Sequence, residues 1–77
     1  MTHRLDMNNS GSWKAVLRFD YADDALAQSV RNAAEALSLL SAGVGGRPRI
    51  AWRISTDEPQ PRALEYWRHE GGRWLPA

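Results

Sequence analysis

One run of residues does most to limit what this chain can become. From 13 to 21, Trp13, Ala15, Leu17, Phe19 and Tyr21 alternate with Lys14, Val16, Arg18 and Asp20. Successive side chains of a strand point to opposite faces, so this alternation predicts a half-buried strand with its aromatic set turned inward. The cluster Asn8-Asn9-Ser10-Gly11-Ser12 before it is rich in turn formers, and ahead of that His3, Leu5 and Met7 alternate with Thr2, Arg4 and Asp6. Residues 1–12 are therefore either a short first strand plus turn, which completes a hairpin, or a frayed tail.

A helix is expected over residues 22–42. Asp20, Asp23 and Asp24 crowd its start, where carboxylates satisfy free N–H groups and favour the positive end of the dipole. Leu26, Val30, Ala33, Leu37 and Leu40 recur at steps of three and four and form one apolar stripe. Gly43 is placed to end the helix. A second strand follows at 49–55, with Ile50, Trp52 and Ile54 on one face and Arg49, Ala51, Arg53 and Ser55 on the other. Pro59 and Pro61 make 56–61 a loop, because neither can donate to a ladder.

Residues 63–69 and 73–76 flank Gly71-Gly72 and read as a closing hairpin. A two-residue turn at the glycines sets His69 opposite Trp74; a three-residue loop ending at Gly71 sets Tyr66 there. A one-residue slip exchanges the faces, so the sequence leaves open which of Tyr66 and Trp67 is buried. The expected fold is α+β: a mostly antiparallel sheet of four to five strands with one α-helix on one face, in the order (β)β-α-β-β-β, as a single domain spanning 1–77. Its predicted core is Leu17, Phe19, Leu26, Val30, Leu37, Ile50, Trp52 and Ile54.

At 77 residues with no cysteine, stability must come from packing or self-association rather than disulfides or thiolate-bound metal. The start has no apolar core of a secretory signal and no apolar run reaches membrane-spanning length, so a cytoplasmic location without membrane contact is expected. Net charge is +1, and nine of the ten basic residues are arginine. Four basic and five acidic residues fall in 1–46, six basic and four acidic in 47–77.

Few residues suggest chemistry. Gly43-Val44-Gly45-Gly46-Arg47-Pro48 resembles a phosphate cradle in composition, but it follows a helix instead of preceding one and reads as a connector. His69-Glu70, beside Tyr66, Arg68 and Arg73, holds acid–base residue types at a hairpin tip, where water is not excluded. His3 and His69 are the only histidines, so neither a metal site nor another cofactor is expected, and no enzymatic activity is expected.

Surfaces remain. Lys14 and Arg18 are expected on one face of their strand, Arg49 and Arg53 on one face of theirs, with the aromatics alternating away from them. Such a face would suit phosphates, and Arg18, Arg49 and Arg53 are its candidate nucleic-acid contacts. Asp23, Asp24, Asp57 and Glu58 suit the opposite use, occupying a cationic groove of a protein partner. Tyr66, Trp67 and Trp74 leave aromatic surface outside a one-helix core and mark a candidate homodimer interface.

The element order, the length and the ending Tyr66-Trp67-Arg68-His69-Glu70-Gly71-Gly72-Arg73-Trp74-Leu75 resemble small phage-encoded anti-CRISPR proteins of the ββαβββ single-domain type. That resemblance implies a non-enzymatic inhibitor of a host protein complex, binding a type I CRISPR effector and blocking target DNA. It transfers no functional residue. The alternative is a small nucleic-acid-binding protein that uses an arginine-bearing sheet face.

Overall fold

A computed structural model describes residues 2–8, 11–42, 50–68 and 72–77. The elements are β1 (Thr2–Asn8), β2 (Trp13–Asp20), α1 (Asp24–Ala42), β3 (Ala51–Thr56), β4 (Ala63–Arg68) and β5 (Arg73–Pro76). All pairings are antiparallel, in one sheet of order β2-β1-β3-β4-β5, with α1 following β2. The first segment is thus an interior strand and not a tail: β1 lies between β2 and β3. Gly11 takes φ 96° in the β1–β2 turn, a conformation few side chains tolerate, and its N–H donates to Asn8 Oδ1 at 2.9 Å.

The core is Leu5, Phe19, Ala27, Val30, Ala34, Trp52 and Ile54, with Met7, Tyr21, Ile50, Leu64, Trp67 and Trp74 packed around it. Each large side chain withdrawn from water here contributes roughly 1.5–3 kcal/mol. Phe19, Val30, Trp52 and Ile54 lie where the periodicity placed them, but Leu17, Leu26 and Leu37 do not, being 39%, 42% and 46% exposed. The helix is rotated toward β4, so that Ala27, Val30, Ala34 and Ser38 meet the sheet. Bulk explains the rotation. The sheet presents Phe19, Trp52, Trp67 and Trp74 to the helix, and small residues let the two backbones come close; leucines there would hold them apart. The displaced Leu37 and Leu40 overhang the β2 side and border an apolar cavity of about 410 Å³ with Met7, Val16, Ile50 and Trp52.

Two bulges change the faces. In β2 the register steps from Leu5↔Leu17 to Asp6↔Ala15. Val16 is the extra residue, and beyond it every side chain is on the face opposite to the one strict alternation assigns. Trp13 and Ala15 therefore join Arg18 and Asp20 on the uncovered face, while Lys14 pairs with Met7 on the helix side. The expected sharing of a face by Lys14 and Arg18 is corrected accordingly. In β4 the register steps from Ile54↔Glu65 to Ser55↔Ala63, so Leu64 and Glu65 both serve the helix side.

The closing hairpin takes neither expected register. Trp67 pairs with Trp74 and Arg68 with Arg73, which makes the connection four residues long and pairs Tyr66 with Leu75. Trp67 and Trp74 turn to the core, with ring centroids 5.8 Å apart, and Trp67 Nε1 donates to Ser38 Oγ at 3.2 Å. Residues 43–49 and 69–71, with the glycine connector, Arg49 and the His69-Glu70 pair, lie outside the described residues.

Candidate functional site

One face of the sheet carries the helix and the other carries no further layer among the described residues. On that open face β1 supplies Arg4 and Asp6, β2 supplies Trp13 and Arg18, β3 supplies Arg53 and Ser55, and β4 and β5 supply Tyr66, Arg68 and Arg73.

Asp6 sits at its centre and is fully buried despite the missing layer. Arg4 Nε reaches Asp6 Oδ1 at 3.0 Å, Arg53 Nε reaches Oδ2 at 2.8 Å, and the Ser55 hydroxyl donates to Oδ2 at 2.7 Å. Burial pushes the Asp6 carboxyl upward, but the hydrogen bonds from Ser55, Arg53 and Arg4 outweigh it and hold it below its ordinary value. The two arginines close over the carboxylate and are themselves only 16% and 13% exposed.

Arg53 also stacks on Trp13, its guanidinium carbon 4.4 Å from the ring centroid, and Trp13 lies against Tyr66 at 6.2 Å. Arg68 lies over the other aromatic, 5.8 Å from the Tyr66 centroid. Two neighbouring aromatic rings are thus flanked by arginines on this face: Arg53, Trp13, Tyr66, Arg68. The bulge in β2 and the four-residue hairpin connection create this row, and both escape a reading that assumes unbroken alternation. The one sequence signal for it is the pair of small residues Ala15 and Ala51, which leave Trp13 room to lean over the sheet.

The other nominated residues are dispersed among structural tasks. Asp23 caps α1, its Oδ1 accepting the Leu26 N–H at 3.1 Å, and Asp24 opens the first turn. Asp57 pairs with Arg18 at 3.1 Å, and Glu58 accepts the Thr56 hydroxyl at 3.0 Å. Of the three aromatics nominated for a homodimer surface, only Tyr66 is on the open face; Trp67 and Trp74 belong to the hydrophobic packing under α1. Arg18 and Arg53 do share the open face, as the alternative reading required.

A second buried cluster joins helix to sheet. Arg31 Nη2 and Nε hold Glu65 Oε2 and Oε1 at 2.6 and 2.9 Å, and the Tyr21 hydroxyl donates to the same carboxylate. Burial and the neighbouring carboxylate push the Tyr21 phenol upward. Glu65 is pushed upward by burial but held low overall by Arg31 and Tyr21. All three groups are engaged with each other, which fits an anchor.

Among the described residues no group of three or more His, Asp or Glu could hold a metal ion. No described helix is long and apolar enough to cross a membrane. The cavity beside Leu37 and Leu40 is lined by apolar residues and lacks the convergent polar groups that orient a small ligand. Compared with family models, curated proteins and solved structures, the chain matches none.

Proposed function

We propose that this is a non-enzymatic binding protein whose working surface is the open face of the sheet, and that its ligand is nucleic acid. The observation that carries the reading is the row Arg53, Trp13, Tyr66, Arg68, which sets cations and aromatic rings side by side on a face that no described element covers. Cations answer phosphates and aromatic rings answer bases, and sheets that bind RNA combine the two on one surface. One sequence argument against this use, that the aromatics alternate away from the cations, falls for Trp13 with the bulge in β2.

Rigidity supports the same reading. A surface held by Asp6 between two arginines loses little freedom when it binds, so less of the contact energy goes into ordering it. The edges are less suited to recruiting a partner strand: β2 is bulged and carries Lys14, and β5 ends in Pro76, both devices that resist edge pairing.

A second reading keeps the inhibitor suggested by the anti-CRISPR resemblance. Trp, Tyr and Arg are also the residues that dominate protein–protein contacts, so the same row could seat a protein such as a type I CRISPR effector. It ranks second because three of the four acidic residues nominated for that role are occupied by a cap, an ion pair and a loop hydrogen bond. A homodimer would have to use Tyr66 without Trp67 and Trp74. Gel shift with DNA and RNA, run beside pull-down on purified type I effector, separates the two readings. Salt-sensitive binding to bare nucleic acid supports the first, and effector capture without it reverses the ranking.

A further inference from the structure

Every described arginine but two has a carboxylate within 4 Å: Arg4 and Arg53 on Asp6, Arg18 on Asp57, Arg31 on Glu65 and Arg62 on Glu58. The two exceptions, Arg68 and Arg73, are direct cross-strand partners at the mouth of the closing hairpin. Both are exposed, and the register sets both on the open face, in line with Tyr66. Like charges directly opposite one another in a ladder destabilise it. Elsewhere the chain relieves such a pair: Arg4 and Arg18 also face each other across β1 and β2, Arg4 held by Asp6, which it shares with Arg53, and Arg18 by Asp57. At Arg68 and Arg73 the repulsion is left in place, on a five-stranded sheet too small to waste stability.

From this we infer that Arg68 and Arg73 form a phosphate clamp and that the strand they hold is single-stranded, its bases meeting Tyr66 and Trp13. The inference rests on the nucleic-acid reading above and narrows it. An anion between the two guanidinium groups removes the repulsion and gains two sets of charge-assisted hydrogen bonds. The Tyr66 and Trp13 rings continue the row from the clamp, 6.2 Å apart and tilted 57° to each other, and a base can stack on either only if it is free of a duplex partner. Duplex DNA presents its phosphates outside and its bases stacked away, so it would engage the arginines without the rings. The polarity of the site follows: phosphate at the β4–β5 edge, bases toward β2.

The test is fluorescence anisotropy with a labelled oligothymidylate of about ten nucleotides, the same length of oligouridylate, and a duplex of matching length, across a salt series. The variant is Arg68→Gln/Arg73→Gln. Its control is Lys14→Gln/Arg62→Gln, which removes the same charge from the helix side and from the β3–β4 loop. Single strands should bind more tightly than duplex. The clamp variant should lose at least about tenfold in affinity, and its salt slope should fall by about one, for the single phosphate the pair holds. The control should lose less than about threefold. The clamp variant should also melt no lower than the parent, because it sheds a repulsion; that readout separates a lost contact from a lost fold. Equal losses in clamp variant and control, or duplex bound as tightly as single strand, would overturn the clamp while leaving nucleic-acid binding standing. Absence of binding to all three probes would overturn the nucleic-acid reading itself, and the clamp with it.

Discussion

Asp6 accepts the Ser55 hydroxyl at 2.7 Å on the sheet face opposite the helix, where no described element forms a second layer, and is nonetheless completely withdrawn from solvent. The cover is made of side chains, Arg4 and Arg53 folded over the carboxylate they neutralise. Removing the carboxylate strands two poorly exposed cations. Asp6→Ala should therefore destabilise the protein by about 3 kcal/mol, the range for breaking a buried ion pair. For a domain whose total stability is only roughly 3–5 kcal/mol, that is close to unfolding. Urea denaturation followed by circular dichroism measures it, and a loss below about 1 kcal/mol would mean that the pair behaves as an ordinary surface contact.

Acid should act through the same group and through Glu65. Both carboxyls are held below their ordinary values in the folded protein. A depressed folded pKa contributes stability that is present above the unfolded value, about 3.9 for Asp and 4.3 for Glu, and is lost as pH falls through the folded one. The melting temperature should hold steady near neutrality and drop below about pH 5. Glu65→Gln should flatten part of that drop. Tyr21 works in the opposite sense: its raised pKa contributes stability that is present below about pH 10 and lost as pH rises through the folded value. A second decline in strong alkali, absent in Tyr21→Phe, is the expected signature.

The helix should respond to substitution against the grain of its hydrophobicity. Ala34 is fully buried at the sheet, whereas Leu39 is 65% exposed. Ala34→Leu should destabilise by about 1–3 kcal/mol through overpacking. Leu39→Ser should change stability by less than about 0.5 kcal/mol. Thermal melts of the two variants decide it, and a reversed order would mean that the helix does not meet the sheet through Ala34.

That reversal marks where the sequence stops being legible. The strand at 13–20, the helix and its Asp23 cap, the loop at Pro59–Pro61 and the order of elements were all readable, because periodicity and turn chemistry are local. The faces were not. Val16 shifts Trp13 and Lys14 to the sides opposite those that alternation assigns, and a bulge leaves no composition signal when both neighbours are apolar. The leucines at 26, 37 and 40 outrank Ala27 and Ala34 in any hydropathy pattern, yet backbone approach is decided by how much bulk the sheet already presents. Asp6 and Glu65 read as polar positions of amphipathic strands, since their arginine partners at 53 and 31 are distant in sequence. The candidate surface depended on those non-local facts, which is why Tyr66 reads from the sequence as part of a homodimer interface and, with Arg68 and Arg73, as a neighbour of His69-Glu70.

The two tryptophans of that hairpin differ in their polar atoms. Trp67 Nε1 has the Ser38 hydroxyl, whereas Trp74 Nε1 is buried with no hydrogen-bond partner. Replacing each with phenylalanine removes comparable bulk but only one hydrogen bond. Trp67→Phe should therefore destabilise by about 1 kcal/mol more than Trp74→Phe. Pairing Trp67→Phe with Ser38→Ala in a double-mutant cycle isolates the bond, and a coupling indistinguishable from zero would assign the difference to packing.

Arg53 and the Arg68–Arg73 pair should separate when stability and binding are measured on the same variants. Arg53 is 13% exposed, bound to Asp6 at 2.8 Å and stacked on Trp13 at 4.4 Å. Its guanidinium is committed to the sheet, and lysine cannot reproduce both the planar stack and the directed bond. Arg53→Lys should thus destabilise by about 1–2 kcal/mol, from a weakened carboxylate contact and a lost cation–π interaction. It should weaken nucleic-acid binding only indirectly, as Trp13 loses the support that fixes its ring. Arg68 and Arg73 have no carboxylate partner among the described residues, Arg68 lying only over the Tyr66 ring at 5.8 Å, so their replacement should weaken binding at unchanged or higher melting temperature. Plotted against each other, the two readouts should put Arg53→Lys on the stability axis and Arg68→Gln/Arg73→Gln on the binding axis. Were Arg53→Lys to abolish binding at full stability, the ligand would have to displace Arg53 from Trp13, and the phosphate site would move from the hairpin edge to the centre of the sheet.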